Sequence, residues 1–375
     1  MSSTWQGKTV IGLTGNIATG KSVVRKMLEH LGAYGIDADA LSHRAIARGA
    51  PGYQPVVDTF GKWILDENGQ IDRSKLAKIV FTDPSAMAAL EHIVHPLVRQ
   101  AEDALIRYCK QSVVVVEAIK LIESGFARLC DSIWVTTAPE EVQVMRLMKK
   151  RGMTRDLAMQ RIKSQPPQEE KIRYAHVVIR NDSTYEDTWK QVFLAWKNIV
   201  PQIEQPKANI VAGGVNISRA KPQQSQEIAE AFHRLSNGKR NLQREDVMAL
   251  FGEKAFLLVK IEETIFGVVG WRVENLVARV DDFLLDKSLS IDLIAADLIK
   301  EIENASKDLQ CEVALLFLPP EMTLHRQLWH ELGYREASIQ DLSVRAWQEA
   351  VIESMPAGTV LWVKRLREDL VLKPV

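Results

Sequence analysis

Cysteine is scarce in this chain of 375 residues: Cys109, Cys130 and Cys311 lie far apart, are odd in number and form no Cys-x-x-Cys pair. That rules against a disulfide framework and a structural zinc site. Long apolar runs are missing too. No stretch approaches the ~18 uninterrupted apolar residues of a spanning helix, and residues 1–8 hold no apolar leader core. The expectation is a cytoplasmic chain with no membrane partner. An excess of charge is likewise absent, with 48 Lys plus Arg against 48 Asp plus Glu. No bulk field draws the chain toward nucleic acid, so an anionic ligand has to be held by local groups. Internal repeats and low-complexity tracts are also wanting.

What is present is an ordinary globular composition, 46% hydrophobic and 26% charged, in a chain long enough for two domains. Thr9–Thr14 is short, apolar and β-branched and breaks at Gly15, which predicts a buried strand. Lys21–Leu31 puts Val24, Met27, Leu28 and Leu31 on one helical face. Ala33–Ile36 reads as a second strand running into Asp37 and Asp39, and Ser112–Glu117 and Ser132–Thr136 read as interior strands. Strands alternating with helices predict an α/β, doubly wound, mostly parallel sheet. A helix from Tyr185 to about Val200 closes it, and prolines and glycines interrupt any regular pattern across 201–215. The expected division is residues 1–205 and 206–375. Beyond it, Gln223–Leu235 and Ile291–Leu309 read as helices. Ala255–Ile261, Ile265–Arg272, Val277–Leu285 and Glu312–Leu318 read as strands, an α+β order with a central antiparallel meander.

The chemistry starts at Gly15, Asn16, Ile17, Ala18, Thr19, Gly20, Lys21 and Ser22, which fit G-x-x-x-x-G-K-[ST] without a mismatch. The motif lies between a predicted strand and a predicted helix, where backbone N–H groups and a helix N-terminus wrap phosphates. Lys21 is expected to bridge the β- and γ-phosphates of ATP and Ser22 to ligate Mg²⁺. Asp37 and Asp39 end the second strand, near those phosphates. One could take the proton of an attacking hydroxyl or help hold Mg²⁺; capping the next helix is an equal alternative. The cation-rich stretch with Arg146, Lys149, Lys150, Arg151, Arg155 and Arg161 is either a solvated helix face or a lid over the transferring phosphoryl group. Glu117 either orders Mg²⁺-bound water or caps its strand. His95, before Pro96, reads by itself as a helix-end residue.

Together these residues resemble the dephospho-CoA kinases, from Val10 to about Trp196. The likeness rests on Gly12–Ser22, Ile36–Asp39, Asp66–Arg73, Leu90–Arg99, Gln143–Arg146 with Arg151, Arg161–Gln165, Lys171 and Val178–Asn181 in that order and spacing. It implies a P-loop nucleotide core, a helical substrate domain at roughly 44–107 and a lid around 142–171. It also implies the last step of coenzyme A synthesis, with ATP and dephospho-CoA giving ADP and CoA. Carried over, the resemblance makes Asp39 the base on the ribose 3′-hydroxyl. Lys21, Arg146 and Arg151 would stabilise the γ-phosphoryl charge. Asp37, His95, Arg99 and Glu117 would lie on the acceptor side, with Lys120 as an added phosphate contact and Asn181 near adenine. The chain departs from the family pattern at Ile119 and Lys120, where Pro and Leu are usual, and at His43, where an arginine is usual and Arg44 stands beside it.

The C-terminal part resembles GNAT-type acyltransferases through Ala255–Arg272 and through Leu324–Tyr334. Active members hold the CoA pyrophosphate on a glycine-containing loop at a helix N-terminus, and the matching stretch Ser288–Asp297 has no glycine. The resemblance therefore implies a degenerate, structural or regulatory domain, with a working N-acetyltransferase as the alternative. For the whole chain the alternatives are another P-loop nucleotide kinase, or a CoA-sensing scaffold that binds nucleotide without turnover.

Overall fold

The computed structural model describes residues 4–199, 209–211 and 215–367; the expected boundary at 205/206 lies outside them. The N-terminal half is built on β1 (Thr9–Thr14), β2 (Tyr34–Asp37), β3 (Val113–Glu117), β4 (Ser132–Thr137) and β5 (Val177–Arg180). They pair in parallel in the order β2-β3-β1-β4-β5. Helix α1 (Lys21–His30) links β1 to β2. The link from β2 to β3 holds α2 (Ala38–Ala45), α3 (Tyr53–Phe60), α4 (Arg73–Val80) and α5 (Pro84–Tyr108). Helices α6 (Glu140–Arg151), α7 (Arg155–Lys163) and α8 (Gln168–Ile172) lie between β4 and β5, and α9 (Tyr185–Ile199) follows.

The continuous apolar runs follow from burial on both faces. Ile11, Leu13, Val113, Val115 and Trp134 pack with Val24, Met27 and Leu28 of α1 and Val192 and Trp196 of α9. Val10, Val114, Val116 and Val135 face the other way, onto α2 and α5. The alternation is the period-2 pleat of a strand. Strands leave β1 toward opposite sides of the sheet, so its switch point lies between β1 and β3, where a crevice opens at their carboxyl ends. The register sets Asp37 opposite Glu117 there.

Helix α5 runs through Pro96, so His95 is not the helix end that its place before a proline suggests. The lost N–H bond is offset because residues on both sides of the proline, Val94 and Val98 before Ala101 and Leu105, are buried in the same core.

The C-terminal half contains β6 (Asn209–Val211), β7 (Val215–Arg219), α10 (Ser225–Leu235), α11 (Arg244–Leu250), β8 (Ala255–Ile261), β9 (Thr264–Glu274) and β10 (Val277–Leu285). After these come α12 (Ile291–Asp308), β11 (Val313–Leu318), α13 (Arg326–Glu331), β12 (Arg335–Glu336), α14 (Arg345–Ser354) and β13 (Val360–Arg365). The sheet order is β12-β13-β11-β10-β9-β8-β7-β6, antiparallel except for β10 with β11. This is the expected meander, and α12 supplies the crossover that a parallel pair requires. The sheet begins earlier than the sequence suggests: β6 lies inside the interrupted stretch, a strand of three residues being too short to show periodicity. Among the described residues no helix is long and apolar enough to cross a membrane.

The two halves touch. The ring Nε2 of His30, at the end of α1, lies 2.6 Å from the Phe251 carbonyl. Burial pushes its pKa down to about 4, against that hydrogen bond, which favours the charged ring. The unfolded chain therefore binds a proton that the folded chain refuses between about pH 6.5 and 4. His30 contributes stability above that window and loses it as pH falls through it. His30→Gln should accordingly narrow its deficit in melting temperature against wild type between pH 7.5 and 5, measured by circular dichroism on both proteins. A constant deficit would show that the fold leaves the proton affinity of His30 at its unfolded value.

Candidate active site

The loop Gly15–Ser22 leaves β1 and enters α1 at Lys21. Two of its glycines are required by contact. A Cβ at Gly15 would stand 2.5 Å from the Thr136 carbonyl oxygen. Gly20 has φ +95°, and a Cβ there would fall 1.8 Å from Asn181 Nδ2. That amide donates to the Thr19 carbonyl at 3.0 Å. Arg146, from α6, reaches the same place, donating to the Ala18 carbonyl (3.1 Å) and the Asn181 carbonyl (2.9 Å). The cradle is thus closed by β5 and the lid helix as well as by its own backbone.

Below the loop the charges interlock. Glu117, at the tip of β3, accepts from Ser22 Oγ (2.9 Å) and Arg25 Nε (2.7 Å). Arg25 also donates to Glu29 at 2.6 Å and lies 3.9 Å from Asp37. Flanked by three carboxylates, the buried guanidinium holds its proton more tightly than usual. Lys21 is 7% exposed, and its Nζ donates to the Asn16 carbonyl at 3.2 Å. Burial lowers its pKa, opposed by the charges of Glu117, Asp39 and Asp37. Asp37 is the N-cap of α2, accepting from the Ala40 N–H at 2.9 Å. Asp39 sits in the first turn. Burial, and then the charge of Asp37, push its carboxyl up to about 6, against the pull of Lys21. A carboxylate of that affinity beside a phosphate cradle is suited to take a proton at neutral pH.

These groups line one cavity of about 880 Å³. Its geometry is that of a phosphoryl-transfer site, with cations and backbone on one side and a raised carboxyl on the other. The family model described as dephospho-CoA kinase matches residues 9–187. Over 186 residues the chain is 45% identical to the dephospho-CoA kinase of Carboxydothermus hydrogenoformans, covering 49% of this chain and 90% of that protein. The dephospho-CoA kinase of Aquifex aeolicus is 46% identical over 183 residues, 48% of this chain and 93% of that protein. This chain belongs to the dephospho-CoA kinase family. It is accordingly an ATP-dependent kinase of coenzyme A biosynthesis that transfers phosphate to a hydroxyl. The C-terminal part is similar to an acetyltransferase of the GNAT family from Staphylococcus aureus, 16% identical, at a TM-score of 0.33, over 41% of this chain and 99% of that one.

Of the residues that the dephospho-CoA kinase resemblance singles out, Ile17, Ala18, Gly20, Lys21, Ser22, Asp37, Asp39, Glu117, Arg146, Arg151 and Asn181 line the cavity. Gly15, Asn16 and Thr19 belong to the loop but do not line the cavity; Thr19 Oγ1 bonds Thr136 Oγ1 at 2.7 Å, and Asn16 Nδ2 donates to the Pro166 carbonyl at 2.8 Å. His95, Arg99 and Lys120 are not brought there. His95 is exposed on α5, Arg99 stacks over the Phe126 ring at 4.8 Å, and Lys120 pairs with Glu91 at 2.6 Å. The loop after β3 is held instead by Lys171, which donates to the Ile119 carbonyl (2.6 Å) and to Glu123 (2.9 Å).

Sequence reasoning passed over Arg25, whose signal was its i,i+4 spacing from Lys21 along α1. It also passed over the C-terminal residues that face the cavity, among them Glu274, Asn275, Leu276 and Glu353. Gly20→Ala should lower ATP affinity by roughly tenfold or more with the fold retained, since it meets both the left-handed backbone and Asn181. Isothermal titration checks this, and unchanged affinity would mean the loop is not the cradle.

Proposed function

We propose that the acceptor is dephospho-CoA, attacked at its ribose 3′-hydroxyl, with Asp39 as the base. The observation that carries this is the placing of Asp39 and Lys21 on one cavity, each within reach of the other's charge. In this reading the backbone of residues 15–20 and the start of α1 bind the triphosphate of ATP, and Lys21 and Arg146 meet the charge on the moving phosphoryl group. Arg146 is tied to loop carbonyls, so exchanging these for phosphate oxygens would couple the lid helix to nucleotide binding. In this reading Arg151 adds charge from the lid, and Asn181, in the loop after β5, would meet adenine. Asp39 accepts the proton of the hydroxyl as its oxygen attacks the γ-phosphorus.

The residues present fit Mg²⁺. Among the described residues no three acidic, His or Cys side chains could hold a metal by themselves. Mg²⁺ however keeps waters and takes few protein ligands beside substrate phosphates. Ser22 Oγ donates its proton to Glu117 and keeps its lone pairs for a cation, while Asp37, Asp39 and Glu117 raise the negative field around it. When bound, the ion would neutralise charge on the β- and γ-phosphates.

The same reading keeps the division at 205/206, supported by the two separate sheets, and a cytoplasmic setting. It gives the C-terminal domain no acyl transfer. The start of α12 is occupied by Asp292 and has no side-chain cap, and an acid there opposes a pyrophosphate. The purified chain should release no thiol from acetyl-CoA in the presence of amines; release above background would restore the acetyltransferase alternative.

The kinase reading is tested by ADP release with ATP, Mg²⁺ and a set of acceptors. Turnover is expected with dephospho-CoA, and none with adenosine, nucleoside monophosphates or shikimate. A nucleotide acceptor that outperforms dephospho-CoA would sink the assignment. Asp39→Asn should lower kcat by roughly 100-fold or more. Because the base works ionised, kcat/KM of wild type should fall as pH drops below about 6. The fold holds the Asp39 proton above the unfolded affinity, so the ionised group costs stability at pH 7. Asp39→Asn should then melt no lower than wild type at that pH, and a lower melting temperature would contradict the raised carboxyl.

A further inference from the structure

The kinase half grips the C-terminal half through the two helices that start its active site. Lys26 of α1 donates to the Val273 carbonyl at 2.7 Å. Arg44 of α2 donates to the Asn275 carbonyl at 2.8 Å and to Glu312 Oε2 at 2.6 Å. Each cation lies about one and a half turns beyond the group its helix presents to the cavity, Lys21 on α1 and Asp39 on α2. The grips therefore act on the bodies of those helices and leave their first turns to the substrate.

The surface they reach is built for the contact. Glu274 pairs with Val277 across the end of the β9–β10 hairpin, leaving Asn275 and Leu276 as a two-residue turn. Both have positive φ, 51° and 61°, as a turn matched to the twist of the strands demands. Asparagine suits that conformation; leucine does not. Leu276 is kept because its side chain is 9% exposed and packs in the hydrophobic cluster of the kinase half, where Leu309 joins it. The Arg44–Glu312 pair is also buried, at 10% and 0% exposure of the side chains. A pair so placed is a poor source of stability compared with apolar side chains, and its best-attested use is to fix one geometry. Residues 274–276 also line the cavity that Asp39 and His43 line.

We propose that the Asn275–Leu276 turn and Glu312 form a clamp that positions α2, and with it Asp39, so that the C-terminal domain is a working wall of the kinase site. Arg44 and Glu312 are positioning residues, since they act through the helix. The inference rests on Asp39 being the base. Proton transfer from a hydroxyl tolerates little displacement of the acceptor atom, and a shift of about 1 Å can cost roughly 100-fold in rate. The helix held by the clamp is short, Ala38–Ala45, and starts from an Asp37 cap on a strand end. About one and a half turns of helix beyond Asp39 are left to set its direction, and Arg44 is where that direction is fixed.

Three variants of the full chain test this. Arg44→Ala with Glu312→Ala removes the pair without leaving a buried charge. Leu276→Asn suits the turn but withdraws the apolar plug. Arg44→Lys keeps a charge opposite Glu312 but has no second arm for the Asn275 carbonyl. Melting temperature, ATP affinity, and kcat and KM for dephospho-CoA are measured from about pH 5 to 8. The expected result is a loss in kcat of roughly tenfold for the first two and several-fold for the lysine. ATP affinity should stay within about twofold, and the acid limb of kcat/KM should move from its wild-type position. Folded variants with wild-type kcat and limb would overturn the clamp. If the first two fail to fold, wild-type kcat in Arg44→Lys would overturn it alone. Failure of wild type to phosphorylate dephospho-CoA would instead strike the reading of Asp39.

Discussion

A chain with no net charge can hold a polyanion only by gathering cations and N–H dipoles locally, and it can bury those cations only by setting acids beside them. Glu117 meets both demands. It stands at the tip of a fully buried strand, takes the Ser22 hydroxyl on one oxygen and Arg25 on the other, and so fixes the start of α1 beneath the phosphate loop. Arg25 in turn lies among Glu29, Glu117 and Asp37. Removing Arg25 would leave the buried Glu117 without its ion-pair partner, which costs more than the pair itself contributes. Burial first, and then the charges of Asp37 and Glu117, raise the proton affinity of Asp39. The loop and the raised carboxyl therefore share two of the same acids.

Range along the chain separates what could be read in advance from what could not. The phosphate loop was legible because its chemistry lies in eight contiguous residues between two recognisable elements. The interior strands were legible because burial on both faces leaves an unbroken apolar run. Where the sequence allowed two readings, the fold often uses both. Asp37 is a helix cap as well as an acid at the sheet edge, whereas Asp39, two residues on, faces the cavity. In the cation-rich stretch, Arg146 turns inward to the loop carbonyls and Arg155 turns outward to Glu141. Arg25 was hidden because a cation beside Lys26 on a helix looks like a solvated face until the neighbouring strand tips are in place. His95, Arg99 and Lys120 were singled out by likeness, and no local pattern says which way such side chains point.

The contact between the halves was beyond reach for another reason. Arg44 and Glu312 are 268 residues apart, and neither has a local signature. The turn at Asn275–Leu276 looked like an ordinary break between strands. Only the assembled surface explains why a leucine holds a left-handed conformation: its side chain belongs to the core of the other half. Strain at such a position persists when the surroundings over-determine it, and here the surroundings include a second domain.

A wall that carries Glu274 and Glu353 would seem a poor neighbour for a phosphorylated substrate. Both acids, however, lie against Arg279, at 3.4 and 3.3 Å, and that guanidinium is itself 2% exposed and bonded to Ser354 Oγ at 2.6 Å. That one guanidinium offsets one of the two negative charges, which lessens the repulsion of an anion across the cavity. The opposite side keeps its cations facing in: Lys149, Lys150 and Arg151 continue from Arg146 along α6. The resulting gradient runs from the cations of α6 to a wall that keeps a net negative charge. In the proposed reading it would draw the most highly charged ligand, the triphosphate, toward the loop and leave the space by Asp39 for a hydroxyl, which needs orientation more than charge.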